Sequence, residues 1–225
     1  MGFWGKGFAS MSVNMRVFQF LVRVAVLVTV IPFHECAHGW VAGRLGDDTA
    51  RSMGRTTLNP IRHLDLWGSV LMLFTGFGWA KPVPINPRNF RNVKAGMAIT
   101  ALAGPCANLV LAFFFSLLFK LLNRFLRLSS LLMLFFYIII WTTLSLAVFN
   151  LIPIPPLDGS RLLTALLPDR LYYKIMSWER YVVPVLMLLL FTGIVSFPIE
   201  RATDALYRFV DMATGFLGGL PYLVS

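Results

Sequence analysis

The pentapeptide His34-Glu35-Cys36-Ala37-His38 carries the pattern H-E-x-x-H. On a helix, residues four apart share a face, so both imidazoles can reach one metal ion, and zinc is the metal this pattern suits. Glu35 follows the first His. From there a carboxylate reaches a water beside the metal without being a ligand, the placement a general base needs. Residues 17–33, apolar except for Gln19, Arg23 and Thr29, lead directly into the motif. Three fixed positions in five recur by chance in many helices. In a membrane helix, however, each ionisable side chain costs about 2.5–3.5 kcal/mol on insertion scales, so two His and a Glu at this depth point to a site.

Catalytic zinc usually takes three protein ligands. Asp158 is the best third candidate, lying beside Gly159 in a Pro-rich, otherwise apolar segment. It reads equally well as a helix N-cap, because Gly159-Ser160-Arg161-Leu162-Leu163 looks like a helix start. His63 and Asp65, in a polar connection, are a rival pair. Residue chemistry alone leaves the choice open.

The elements that must position these residues are membrane elements. Of 225 residues, 57% are hydrophobic and 13% charged, and the mean hydropathy is +0.72, a composition foreign to soluble domains. The net charge of +10 does not indicate nucleic acid, because Lys and Arg are scattered through short segments between apolar runs, as in topology-setting loops. Two Cys, Cys36 and Cys106, give no disulfide framework, and the first fifteen residues show no removable signal peptide. Long apolar runs at 15–43, 95–122, 129–149 and 181–198 predict four spans. Residues 66–79 are about fourteen in number, reaching ~21 Å as a helix against a core of ~30 Å, and with Gly76, Gly78 and the following prolines they predict a re-entrant segment. Pro32 predicts a kink just before the motif.

The expected organisation is an N-terminal segment (1–14), a membrane domain (15–199) and a tail (200–225) that is an interfacial helix with a loose end. With four spans and re-entry, residues 44–65, 81–94 and 151–180 share one face, which carries twelve of the twenty Lys and Arg and is therefore expected to be cytoplasmic. Lys120, Arg124 and Arg127 mark the opposing loop.

Several segments in order resemble the site-2 protease family of intramembrane metalloproteases, in particular its compact bacterial branch without a PDZ domain (peptidase family M50). They are the pentapeptide, Gly54-Arg55-Thr56-Thr57-Leu58-Asn59-Pro60 with His63 and Asp65, Gly78-Trp79-Ala80-Lys81-Pro82-Val83-Pro84, Ala103-Gly104-Pro105 with Asn108, and Asn150 through Asp158-Gly159. The likeness covers residues 32–168. It implies an all-α polytopic membrane protein with about four transmembrane helices, a short re-entrant β-hairpin over 76–84 and a C-terminal interfacial helix. One Zn2+ per chain would be held by His34, His38 and Asp158, with Glu35 as general base. Asn150, Gly76 and Gly78 would face the substrate or the oxyanion, and His63 and Asp65 would support the ligands. The substrates implied are single-span membrane proteins or signal-peptide remnants, met in the lipid bilayer of the bacterial cytoplasmic membrane with the site nearer the cytoplasmic face; self-association into a homo-oligomer stays open. The alternatives are a membrane metal-ion transporter, which has no use for Glu35, and an inactive scaffold, which has no reason to keep all four site residues.

Overall fold

The computed structural model describes residues 12–76, 78–168, 170–171, 177 and 179–221. Among these described residues eight α-helices follow in order: α1 (Val13–Arg44), α2 (Thr49–Ser52), α3 (Leu66–Thr75), α4 (Val93–Leu126), α5 (Ser130–Asn150), α6 (Asp158–Leu166), α7 (Glu179–Thr192) and α8 (Ser196–Ala213). Three of them, α1, α4 and α5, are long and apolar enough to cross a membrane. α1 runs through Pro32 without a break.

Helix α4 is the centre of the bundle, packed against α1, α5 and α6. A stripe with a period of four makes this possible: Gly96, Thr100, Gly104, Asn108, Ala112, Ser116 and Lys120 are all buried. Small residues let backbones approach without a hydrophobic driving force between helices. At 100° per residue, a step of four drifts about 40°, so the stripe winds around α4. Near its start it faces the His-bearing turns of α1, where the His38 ring bonds the Thr100 carbonyl. Near its end it faces α8, where Ser116 bonds Thr214 and the Lys120 ammonium bonds Asp211.

Four sequence expectations change here. The run 181–198 is not one helix: Gly193, with φ 76°, separates α7 from α8. The fourteen residues of α7 reach about 21 Å, short of an apolar core of about 30 Å. The tail helix α8 does not lie apart at an interface. Its Tyr207 and Val210 are 0% exposed, with Tyr207 against the Tyr137 and Trp141 rings of α5. Lys120, expected to mark a surface, is inside the bundle and paired with Asp211 at 2.8 Å.

The fourth difference is the expected β-hairpin. Residues 66–75 are helical, and α3 ends on Gly76 in the left-handed region (φ 87°). The chain then returns extended, joined to the segment before α3, among the described residues, by a single bridge, Leu64 to Ala80. Pro82 and Pro84 lack the N–H a ladder needs, so pairing stops there. Other groups hold the return instead. The Lys81 N–H donates to the His63 carbonyl (2.8 Å), and the Arg55 guanidinium donates to the Lys81 and Pro82 carbonyls (2.7 and 3.2 Å). Arg23, the charge inside α1, donates to the Leu73 and Phe74 carbonyls (2.7 and 3.0 Å), satisfying acceptors that a helix C-terminus leaves open. Further along, the Asn86 N–H meets the Asp47 carboxylate (2.7 Å) just beyond α1. The excursion therefore dips along α1 as far as Arg23 and comes back to the end at which it began.

Candidate metal centre

His34 and His38 lie one turn apart on the face of α1 that α4 covers, and both are buried. Their Nε2 atoms are 3.0 Å apart. The Asp158 Oδ2 is 3.2 Å from each. In a tetrahedral zinc site with bonds near 2.05 Å, neighbouring ligand atoms sit about 3.3 Å apart, so this triangle fits zinc closely. Among the described residues it is the one group of three His, Cys, Asp or Glu able to hold a metal ion.

The surroundings orient the ligands. His38 Nδ1 is 2.7 Å from the Thr100 carbonyl. A carbonyl only accepts, so the proton is on Nδ1 and the Nε2 lone pair is directed at the triangle, the tautomer a metal ligand requires. Gly104 supplies the room: a Cβ there would lie 2.4 Å from His34 Cε1 and His38 Nε2. Asp158 opens α6, and the loop before it folds back so tightly that a Cβ on Gly159 would sit 2.3 Å from the Leu151 carbonyl oxygen. Only glycine permits that turn, and the turn places the carboxylate against the two imidazoles.

Glu35 is adjacent to the triangle but ligates nothing in it; its Oε2 accepts the Val83 N–H at 2.9 Å. It lines a cavity of about 580 Å³ with His34, Asp158, Asn150, Gly76 and Gly78. Asn150 already donates its amide to the Leu146 carbonyl at 3.0 Å. His63 and Asp65 have other partners. His63, fully buried, binds the Thr57 carbonyl through Nε2, and Asp65 caps α3 through the Gly68 N–H. Two contributors were not assigned a role from sequence, Gly104 and Asn108. The signal that marks them is the period-four stripe of small and polar residues through the apolar α4.

Comparison with known proteins bears on this geometry. A profile of Peptidase family M50 matches residues 127–193. YwhC of Bacillus subtilis, which carries the provisional name of zinc metalloprotease, is 41% identical over 179 residues, covering 77% of this chain and 82% of that protein. The chain belongs to peptidase family M50. Rip2 of Mycolicibacterium smegmatis, provisionally named a zinc metalloprotease as well, is 29% identical over 153 residues, covering 62% of this chain and 55% of its own. No solved structure matches. The M50 profile includes Asn150 and Asp158 but not the His pair.

Proposed function

We propose that this M50 chain is an intramembrane zinc metalloprotease of the site-2 type, hydrolysing peptide bonds in or near transmembrane segments of membrane proteins. The observation that carries the proposal is the convergence of His34 Nε2, His38 Nε2 and Asp158 Oδ2 to 3.0–3.2 Å beside a carboxylate that stays outside the triangle. His34, His38 and Asp158 hold the ion. Zinc, when bound, supplies Lewis acidity, making a water acidic near neutral pH and polarising a carbonyl.

The remaining steps belong to the chain. Glu35 takes one proton from the attacking water as the water oxygen bonds the scissile carbonyl carbon. When the C–N bond breaks, Glu35 returns that proton to the leaving nitrogen, so water is consumed and an acid and an amine result. The Val83 N–H fixes one Glu35 oxygen and leaves the other to work. A substrate must be unwound to offer its carbonyl. In the Leu64–Ala80 bridge the Lys81 N–H bonds the His63 carbonyl, so the Ala80 amide and carbonyl point away from Leu64, and Ala80 lines the cavity. That edge takes an extended substrate by strand addition, with Gly76, Gly78 and Asn150 along its path.

His34 precedes Arg44 by ten residues, about 15 Å of helix, which puts the zinc well inside a bilayer and nearer the face at which the re-entrant segment begins and ends. The positive charges around that segment support reading this as the cytoplasmic face of a bacterial inner membrane. A metal transporter is the weaker reading, because a path needs several ligand clusters and the described residues hold one. The deciding experiment is Glu35→Gln. Metal analysis should find zinc retained, and a transmembrane-peptide cleavage assay should show activity lost by at least a hundredfold; cleavage at the wild-type rate would remove Glu35 from its role.

A further inference from the structure

The two imidazoles at the centre are not supported alike. His38 Nδ1 is bonded to the Thr100 carbonyl, whereas His34 Nδ1 is buried with no hydrogen-bond partner. A metal-ligating His almost always donates its other ring N–H, which fixes tautomer and ring angle. On the wall of the same cavity stands Asn108, 0% exposed, with both its amide nitrogen and its amide oxygen unpartnered. A buried unpaired amide costs roughly the desolvation of its polar atoms, which proteins seldom tolerate without use.

Helix geometry directs these groups at each other. His38 meets Thr100 and His34 meets Gly104, so α1 and α4 run antiparallel here and the next turn brings Val30 and Ile31 opposite Asn108. All three line the cavity. On any α-helix the side chains lean toward its N-terminus. The His34 ring therefore leans toward the turn of Val30, and the Asn108 carboxamide leans toward Gly104, which has no side chain of its own. In an antiparallel pair these are the same space.

We propose that Asn108 is the positioning residue of His34: its carboxamide oxygen accepts the His34 Nδ1–H, as the Thr100 carbonyl does for His38, and so holds the His34 Nε2 lone pair toward the metal. Both polar ends of the amide are unpaired, so turning it toward His34 breaks no existing hydrogen bond. Asn108 touches neither metal nor substrate. The proposal rests on the zinc-protease reading for the identity of the ion, but its readout is zinc affinity rather than cleavage.

The test is competition of the full-length protein in detergent micelles against a chelator of known zinc affinity, for wild type, Asn108→Leu and Asn108→Asp. Leu keeps the shape and removes the acceptor; Asp keeps the acceptor and removes the donor. Zinc affinity should fall about 10- to 100-fold in the Leu variant, while the Asp variant should bind at least as tightly as wild type. Unchanged affinity in the Leu variant would overturn the proposal. Equal weakening in both would overturn it too, since a packing role or a donor role predicts that loss. If neither variant keeps the wild-type elution volume on size exclusion, Asn108 serves the fold and the proposal also fails. Failure of the protease reading looks different: wild type would bind zinc and cleave nothing.

Discussion

Gly104 shows how a residue without a side chain can define a site. In an exposed helix interior, Gly→Ala gains about 1 kcal/mol because alanine is the better helix former. At Gly104 the added Cβ would stand 2.4–2.5 Å from three ring atoms of His34 and His38, and both rings are held against α4, one by the Thr100 carbonyl. The rings would have to swing away, taking their Nε2 atoms out of the triangle with Asp158. Gly104→Ala is therefore expected to lower zinc occupancy at least tenfold while α4 itself stays helical, as metal analysis and circular dichroism of the same preparation would show. Wild-type zinc content in this variant would mean the rings have room that the geometry denies them.

The element that most depends on polar bonding is the re-entrant excursion, and its anchor beyond α1 is Asp47, 0% exposed. Burial by itself raises a carboxyl pKa, but here the Thr49 hydroxyl, the Asn86 N–H and the Asn89 amide all donate to Asp47, and together they hold it below the usual value. A folded-state pKa depressed below the unfolded one adds stability that is fully present above the unfolded value, near 3.9, and is lost as pH falls through the folded value. The thermal midpoint of the wild type should thus drop more steeply than that of Asp47→Asn between about pH 5 and pH 3, with the wild type the more stable at neutral pH. Parallel pH profiles would show that Asp47 is not the anchor. Because Asn86 follows the segment carrying Val83, loosening this node also loosens the N–H that orients Glu35.

At the scale of the whole molecule, α8 closes the bundle. Its Ser196 and Ile199 line the cavity beside His34 and Asp158, while at its other end Lys120 of α4 meets Asp211 at 2.8 Å, the Lys side chain 1% exposed and the Asp 20%. Removing one partner of such a pair leaves a charge buried without compensation, at a cost of about 3 kcal/mol; replacing both by apolar residues is far milder. Lys120→Met should lower the unfolding midpoint sharply, and the double variant Lys120→Met with Asp211→Leu should recover most of the loss. Calorimetry or thermal light scattering in one detergent would rank the three proteins; a double variant less stable than the single would indicate that the ion pair is not what docks α8.

What the amino-acid order determined alone was local or compositional. The i, i+4 spacing of His34 and His38 needs only one turn of helix, the apolar runs over α1, α4 and α5 need only length, and Glu35 is placed by its neighbours in the chain. That the segment 66–86 turns back was legible too, because the ten helical residues of α3 cannot reach across a bilayer. Its internal structure was not, because the prolines that forbid a ladder also leave no local rule for what replaces it, and Arg55, Arg23 and Glu35 supply the bonds from elsewhere. Asp158 reads in sequence as an N-cap or as a ligand, and only the fold brings it across 124 positions to His34, into a group that could hold a metal ion. The same holds for α8, whose sequence alternates charged and apolar residues as an interfacial helix does; Lys120, seen as a loop charge in the linear order, gives Asp211 a partner inside the bundle. Pairings of this kind depend on which helix faces cover one another, and that is set by the drifting stripe on α4 rather than by any one segment.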